Sequence, residues 1–390
     1  MKKIYTSIDI GTYSIKVIVG EYYNNKIYVL ASSCIESKGI KKGLIVEPEL
    51  VKDSLKEAIK NAEEKLGIGI KKVIVNVPSY NAIFKVVSGK VDIRENNVVT
   101  PEDINRVIKD SIYNQLDDNY ELVTVVPISY FIDSKESSKP IGKTGQNLEI
   151  QGIMISTPKK NIYSVLSLVE DAGLEVNDIT ISGLSDYYEV RSDFTDTSNG
   201  AIINVGHETT NVSVFENGNI VDSETLQIGG INIEKDLAYV FGINLFDARV
   251  LKEKFTSSHK RFCQLNETYE VKNKIGDVIK LNQLETSEVT MSRLLEILNL
   301  AKKQIKSLTS TDIDYIIITG GLTEIKAFKN LAYDVFGKNV VVYNVTSLGV
   351  RDNKYVTSLG MLRYFNEKMD SRGREYSMFD SNDENNLITN

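Results

Sequence analysis

The chain has 390 residues, of which 42% are hydrophobic, so it is long enough for two or three domains with sizeable cores. Its net charge of −7 and pI near 5.3 argue against nucleic acid as a partner, and it has no basic stripe with interleaved aromatic residues. Two cysteines and two histidines provide neither a metal-binding framework nor a disulfide scaffold, which fits a reducing cytoplasm.

The first patterned segment predicts a turn that binds phosphate. Residues 4–10 form an apolar run with strand propensity, Gly11 breaks it, and a second strand continues over residues 15–19. Gly11 lets the backbone approach an anion, and Lys16 adds a positive charge. The backbone amides that can donate to the anion are those of Thr12, Tyr13 and Ser14. Asp9 can hold Mg²⁺ through water, and a tight hairpin with an exposed aspartate is the alternative.

Beyond this hairpin, the pattern predicts a β-β-β-α-β unit followed by an inserted subdomain. Residues 26–33 form a third strand, residues 49–66 have a helical period closed by Gly67, and residues 73–77 form a short buried strand. From about residue 83 onward, strands alternate with a capped helix, which predicts an α+β insert over residues 83–158. Its polar loop over residues 134–147 is expected to be mobile.

A second hairpin over residues 203–214 repeats the first. With a constant offset, Asn204 takes the place of Asp9 and Gly206 that of Gly11. Two strand–glycine–polar turn–strand units far apart indicate a duplicated protein with two lobes, each of which offers one phosphate hairpin to a shared cleft. Chance similarity of two hairpins is the alternative.

The second half of the chain contains one strong helix with basic residues. Residues 256–287 are weakly patterned and are predicted to be irregular, whereas residues 289–308 are amphipathic. Four basic residues lie on or beside the apolar face of this helix: Arg293, Lys302, Lys303 and Lys306. They suit docking of a short peptide with acidic and apolar residues, and a core helix with a solvated basic edge is the alternative.

A third motif follows at residues 315–323, where a buried strand runs into Gly320-Gly321 and then a helix from about residue 325. Glycines after a strand let a flat ring or a ribose pack on the backbone, and a helix N-terminus favours phosphate. A plain strand–helix turn is the alternative. The polar residues 370–390 are predicted to be disordered.

The three motifs resemble the ATPase core shared by actin, sugar kinases and the large heat-shock chaperones, and within that superfamily the FtsA family of bacterial cell-division actin homologues. The resemblance covers roughly residues 4–365. It includes four stretches outside the motifs: Gly39-Ile-Lys-Lys-Gly-Leu-Ile-Val, Pro140-Ile-Gly-Lys-Thr-Gly, Val169-Glu-Asp-Ala-Gly-Leu-Glu-Val, and Gly229-Gly230 followed by Asp236-Leu-Ala. It implies an α/β, actin-like, two-lobed ATPase fold with duplicated β-β-β-α-β cores and an inserted 1C-type subdomain.

The resemblance also implies how the chain divides into subdomains. These are 1A (residues 1–82 and 159–195), the 1C-like insert (83–158), 2A (196–228 and 311–345), 2B (229–310), a return to 1A (346–369) and a disordered tail (370–390).

Carried over position by position, the resemblance implies binding of ATP and Mg²⁺. The residues implied to bind the β- and γ-phosphates are Gly11, Thr12, Tyr13 and Lys16, with Asp9 holding magnesium through water. Those implied to close over the phosphates from the other lobe are Gly206, His207, Glu208, Thr209 and Thr210. Those implied at the adenosine are Gly320, Gly321 and Leu322, with Lys252 on the ribose or adenine side.

The family tethers polymerising FtsZ to the membrane. The resemblance therefore implies a site for the FtsZ C-terminal tail in the subdomain after Gly230, where the basic helix lies, and filaments that form through the insert. It also implies a cytoplasmic protein at the inner face of the cell membrane at the division site. PilM, a pilus-assembly relative that shares the insert, provides the alternative function of an ATP-binding pilus scaffold.

Three departures from the family pattern bear on activity and attachment. Asn204 stands where the superfamily has a second catalytic aspartate, so the catalytic pair would be Asp9 and a degenerate Asn204. No Glu or Gln stands in residues 181–185 to orient the attacking water. Weak or no ATPase activity follows, and an active ATPase or kinase is the alternative. The acidic residues 380–390 also lack a basic amphipathic helix, so membrane contact is expected through a partner or through a helix missing from the chain.

Overall fold

The computed structural model describes residues 2–380 and 383, and its first elements form a β-β-β-α-β unit. In chain order they are β1 (Lys3–Ile10), β2 (Ser14–Tyr23), β3 (Lys26–Glu36), the short hairpin strands β4 (Ile40–Lys41) and β5 (Leu44–Ile45), helix α1 (Pro48–Leu66) and β6 (Lys72–Asn76). Strand β1 pairs antiparallel with β2, which places Asp9 opposite Lys16, and it pairs parallel with β6. Helix α1 buries its apolar stripe and ends at left-handed Gly67, as the pattern predicted.

Residues 83–158 form a sheet of their own. Its elements are β7 (Ile83–Asp92), α2 (Pro101–Ser111), β8 (Tyr120–Ile132), β9 (Lys135–Ser137) and β10 (Asn147–Pro158), with the strands in the order β7-β10-β8-β9. Helix α2 begins with a capping box between Thr100 and Asp103. The predicted mobile loop over residues 134–147 contains strand β9. At the base of this loop, Asp133 accepts hydrogen bonds from the backbone amides of Gln146 and Asn147.

The chain then completes the first large sheet and crosses to the second. Helix α3 (Lys159–Asp171) and strand β11 (Glu175–Thr180) give the order β11-β6-β1-β2-β3. Helix α4 (Ser182–Val190) leads to the hairpin of β12 (Gly200–Val205) and β13 (Thr210–Glu216), followed by β14 (Asn219–Leu226). Strands β12 and β13 pair antiparallel, with Asn204 opposite Asn211. The second hairpin therefore repeats the pairing of the first.

The second lobe is completed by helices on and beside its sheet. They and the remaining strands are α5 (Gly230–Val240), α6 (Leu245–Lys254), β15 (Thr268–Lys272), β16 (Val278–Asn282), α7 (Gln283–Leu308), β17 (Tyr315–Thr319), α8 (Phe328–Phe336) and β18 (Val340–Val342). The large sheet has the order β14-β13-β12-β17-β18. Two sheets with matching hairpins confirm the predicted α/β, two-lobed architecture.

The prediction that residues 256–287 are irregular is wrong. They contain the β15–β16 hairpin, and α7 begins at Gln283 instead of residue 289. The Asn282 side chain caps the helix by accepting from the Leu284 amide at 2.7 Å. The first turns bury polar residues, including Thr286 and Thr290, so hydrophobic periodicity does not mark them as a helix.

The prediction of disorder from residue 370 is also wrong as far as residue 380. The last helix, α9 (Val356–Ser371), packs on the first sheet, and Met378 and Phe379 are buried in the same core. The Met378 amide donates to the Ile4 carbonyl at 2.9 Å. The segment is ordered because the burial of these apolar side chains offsets the conformational entropy that the segment loses. The rest of the predicted tail, residues 381–382 and 384–390, lies outside the described residues. No helix among residues 2–380 and 383 is both long and apolar enough to cross a membrane.

Helix α4 lies where the two lobes meet, and two glycines allow its close packing. A Cβ at Gly360 of α9 would lie 1.8 Å from the Ser185 carbonyl oxygen of α4. A Cβ at Gly183 would lie 2.0 Å from Ser213 Oγ of β13. Any side chain at these two positions would push α4 away from α9 or from the second sheet.

Candidate functional site

A cavity of about 440 Å³ opens between the lobes, where the two hairpin turns face each other. Its volume falls in the range of roughly 300–1,000 Å³ that is typical of small-molecule sites. The predicted site residues that line it are Asp9, Gly11, Thr12, Tyr13, Lys16, Asn204, Gly206, His207, Thr209, Lys252, Gly320, Gly321 and Leu322. Three motifs that are far apart in sequence therefore meet at one place.

The two hairpin turns have the same backbone geometry. The Gly11 amide donates to the Ser14 carbonyl at 3.2 Å, and the Gly206 amide donates to the Thr209 carbonyl at 2.9 Å. A Cβ at either glycine would lie 3.0 Å from that same carbonyl oxygen, which is tighter than ordinary contact. Glycine keeps each turn narrow, so that backbone can approach whatever occupies the cavity.

An ion pair lies at the base of the first turn. Lys16 Nζ is 2.8 Å from Asp9 Oδ2, and the two side chains are only 9% and 11% exposed. The register of β1 and β2 places them directly opposite each other. Such a pair places a cation and a carboxylate together at the floor of the cavity, and each offsets the desolvation cost of the other.

The third motif forms the opposite wall, with Gly320 in the left-handed region at φ 99°. A Cβ there would lie 2.6 Å from both Asn204 Oδ1 and the Val205 carbonyl oxygen, so this position accepts only glycine. Residues Gly321–Glu324 continue as a short 3₁₀ turn, and the next α-helix begins at Phe328, three residues later than predicted. The Leu322 side chain is buried, and a Cβ at Gly230 would lie 3.0 Å from it.

Beneath the cavity floor lies an acid that the sequence did not reveal. Asp186 of α4 is fully buried and accepts hydrogen bonds from Asn204 Nδ2 at 2.7 Å and from Thr357 Oγ1 at 2.6 Å. Burial raises the pKa of Asp186 to about 7, although both hydrogen bonds favour the ionised form and oppose that rise. No periodicity or motif marks this residue, because its importance comes only from its neighbours.

A charged and aromatic cluster lies at one edge of the cavity. Glu234, which is fully buried, binds Lys252 Nζ at 2.6 Å and Arg249 Nε at 3.3 Å. Arg249 also lies over the Tyr13 ring, 4.7 Å from its centroid, and this ring is 5.1 Å from the His207 ring. Burial is the main reason that the pKa of His207 is lowered. The cluster joins the first turn to the second lobe, and the Lys252 ammonium is already paired.

Two predicted site residues do not line the cavity. Glu208 turns outward and accepts a hydrogen bond from the Lys42 amide at 2.5 Å. Thr210 is buried as the first residue of β13, and its hydroxyl donates to the Ile228 carbonyl at 2.9 Å. Side chains alternate between the faces of a strand, so Thr209 and Thr210 cannot both face the cavity.

Comparisons with known proteins show which family the chain resembles. The family model described as "Cell division protein FtsA" matches residues 201–360, and the model described as "SHS2 domain inserted in FTSA" matches residues 83–156. The chain is 29% identical over 378 residues to FtsA of Bacillus subtilis (strain 168), covering 96% of this chain and 86% of that protein. It is 27% identical over 366 residues to FtsA of Enterococcus hirae, covering 93% and 83%. The family models and the relatives agree on FtsA, to which the chain is similar over nearly its whole length.

Solved structures support the actin-like fold expected of the FtsA family. A chain of the PilM-PilN type IV pilus biogenesis complex superposes with a TM-score of 0.62 at 13% identity, covering 92% of this chain and 97% of that chain. MreB5 of Spiroplasma citri bound to ADP superposes with a TM-score of 0.56 at 12% identity, covering 95% and 98%. At these identities the likeness concerns the fold alone. The similarity to PilM therefore gives the pilus alternative no support beyond architecture.

The four basic residues predicted to bind the FtsZ tail do not form one surface. Arg293 binds both carboxylate oxygens of Asp236 on α5, at 2.6 and 3.0 Å. Lys302 donates to the carbonyl of Val335, in the last turn of α8, at 2.6 Å. Nine positions separate them, about two and a half helical turns, so they lie on opposite sides of α7. Only Lys303 and Lys306 are exposed.

The cavity has further lining residues, most of which lie outside the recognised motifs. They are Ser14, Ser182, Asn211, Gly230, Glu253, Glu324, Ile325, Asp352, Lys354 and Thr357. Lys354 pairs with Asp352 at 3.1 Å, and Thr357 lies in the first turn of α9. Ser14 and Asn211 belong to the two recognised hairpins, whereas no motif marked the further lining residues from Glu253 onward.

Proposed function

We propose that the chain is an ATP- and Mg²⁺-binding cell-division protein that acts as an adaptor for FtsZ. The observation that carries this proposal is the pair of identical glycine turns, one from each lobe, facing a single cavity that has the Asp9–Lys16 pair at its base. Two opposed glycine turns can offer backbone amides as donors to the oxygens of a triphosphate. The family itself is a cell-division family, which sets the biological context.

The residues present fit a magnesium–nucleotide complex. Lys16 supplies a positive charge for phosphate oxygens, and the Asp9 carboxylate can hold a hydrated magnesium ion through its water ligands. Magnesium, when bound, would neutralise part of the triphosphate charge. The wall at Gly320 and Gly321 is bare backbone, against which a flat ring or a ribose can pack.

The first prediction is that ATP·Mg²⁺ binds but turns over slowly, well below roughly 1 per second. Asn204 faces the cavity through an amide, and an amide cannot take a proton from an attacking water. Calorimetric titration with ATP, with and without Mg²⁺, tests binding, and phosphate release tests turnover. An unsubstituted protein that fails to bind ATP would contradict the proposed function, and brisk turnover would contradict the adaptor role.

A second prediction concerns the FtsZ tail, a short peptide with acidic and apolar residues. We propose that it docks along α7 on the side of the exposed Lys303 and Lys306. Reversing both to Glu is expected to weaken binding about tenfold at low salt, because two attractions become repulsions. Lys302 is left unchanged, since it holds the Val335 carbonyl.

Fluorescence anisotropy of a labelled FtsZ tail peptide measures this effect. The matched control reverses Lys56 and Lys60, which are exposed on α1 of the other lobe and change the net charge equally. If the two double variants bind the peptide with the same affinity, the site lies elsewhere.

We also propose self-assembly through the insert and a location at the inner face of the membrane at the division site. The insert is a separate sheet that exposes Val86 and Tyr113, with 60% and 73% of their surfaces accessible. Apolar side chains in such positions suit a protein contact. Head-to-tail contacts form open polymers, so sedimentation with ATP·Mg²⁺ is the direct check.

A further inference from the structure

Asp186 is a fully buried acid behind the cavity floor, and its two partners come from different parts of the fold. Asn204 is on β12 of the second sheet, and Thr357 is in the first turn of α9, which packs on the first. Both donate to the carboxylate at 2.6–2.7 Å, and both also line the cavity. The acid lies immediately behind two of the side chains that face the cavity.

The hydrogen bond between residues 186 and 204 runs from an amide to a carboxyl group. An ionised carboxylate only accepts, so it holds the nitrogen of Asn204 toward Asp186. Two carboxylates at this distance could not both be ionised, whereas a second amide could accept the bond but would carry no charge. The identities of the two residues are therefore linked, and an ionised aspartate at 186 excludes an ionised aspartate at 204.

The packing of α4 fixes this arrangement. Gly360 allows α9 to approach the Ser185 carbonyl, next to Asp186 in the chain, and Gly183 allows α4 to pack on β13. Asp186 therefore cannot move away from Asn204 without separating helices that are in direct contact. With its nitrogen held, Asn204 keeps Oδ1 beside Gly320, on the wall of the cavity.

We propose that Asp186 is a positioning residue of the cleft, which holds Asn204 toward a bound nucleoside triphosphate with its magnesium ion. This inference rests on the proposed ATP·Mg²⁺ binding. When it is ionised, Asp186 has two effects: it fixes which end of the Asn204 amide faces the cavity, and it provides a buried negative charge behind that amide. In the low dielectric of the interior, that charge acts on a bound cation with little screening.

Exchanging the two residues provides the test. Asp186→Asn leaves an amide opposite an amide and removes the charge, whereas Asn204→Asp places two carboxylates in contact. The double variant Asp186→Asn with Asn204→Asp restores the hydrogen bond in reverse and puts the acid on the strand, facing the cavity. The control is Glu189→Gln, which removes another buried acid of α4 that accepts from Arg363, away from the cavity.

Two measurements follow: the melting temperature without nucleotide, and the ratio of ATP affinities with and without Mg²⁺. We expect each single variant to lower that ratio about tenfold, because the hydrogen bond from an amide to a buried carboxylate is lost. Asn204→Asp should also melt earlier, because it places two carboxylates in contact. The double variant should recover most of both quantities, so the two substitutions are strongly non-additive. Glu189→Gln should lower the melting temperature and leave the ratio unchanged.

The inference is overturned if Asp186→Asn has the same ratio of ATP affinities as the unsubstituted chain. It is also overturned if the double variant loses as much affinity ratio as the two single variants lose together. A purely structural role for Asp186 would lower the melting temperature and leave the ratio alone, as in the control. If the unsubstituted chain binds no ATP at all, the proposed function fails, and the inference fails with it. If that chain binds ATP but none of the substitutions at residues 186 and 204 changes the ratio of affinities, only the inference is wrong.

Discussion

Asp9→Asn is expected to weaken ATP binding in the presence of Mg²⁺ by at least about tenfold, while leaving ATP binding without Mg²⁺ unchanged or tighter. The Asp9 carboxylate lines the cavity and can hold magnesium-bound water. It also neutralises Lys16, whose ammonium lies 2.8 Å away in a largely buried pair. Converting it to an amide removes the metal contact and leaves the full lysine charge for the phosphates.

Titration of Asp9→Asn with ATP, once with Mg²⁺ and once with a chelator, separates the two effects. Asp352→Asn is a suitable control, because Asp352 also lines the cavity and pairs with a lysine at 3.1 Å, but it is 38% exposed. Because solvent screens this exposed pair, Asp352→Asn should change either ATP affinity by less than about threefold. If Asp9→Asn lowers both affinities equally, Asp9 has a structural role in the hairpin and none toward the metal.

Gly360→Ala is expected to lower the free energy of unfolding by about 3 kcal/mol, the upper end of the usual cost of overpacking. The new Cβ would lie 1.8 Å from the Ser185 carbonyl oxygen, a backbone atom that cannot rotate away. Alanine favours a helix over glycine by only about 1 kcal/mol, which is too little to compensate. Since α4 must move, the bond from Thr357 to Asp186 should be lost as well.

The midpoint of urea unfolding measures this change, and Gly69→Ala is its matched control. The nearest atom to a Cβ at Gly69 is a carboxylate oxygen of Glu63 at 3.7 Å, which is ordinary contact with a flexible side chain. Its midpoint should stay close to that of the unsubstituted chain. A Gly360→Ala variant as stable as the control would mean that α4 and α9 are not in direct contact.

Local chemistry explains what the sequence could predict. The two hairpins were recognisable because each is a strand, a glycine turn and a strand, and Asn204 follows Asp9 at the same offset as Gly206 follows Gly11. The start of α2 was recognisable because Thr100 and Pro101 provide a cap and a first helical residue. Where local signals were weak, prediction failed. Helix α7 starts with buried polar residues, and the segment around Met378 is polar apart from its few anchors.

The sequence by itself therefore determined the two-lobed architecture, both glycine turns and the residues at their tips, since strand pairing and turn geometry depend on neighbouring residues. Only the tertiary structure decided which side chains meet across those turns. Asp186 contacts Asn204, 18 positions away, and Thr357, 171 positions away. Those contacts depend on the order of strands in two sheets and on the close packing of α4 at Gly183 and Gly360. A contact fixed by packing between distant elements has no periodicity along the chain, so it becomes visible only once the chain is folded.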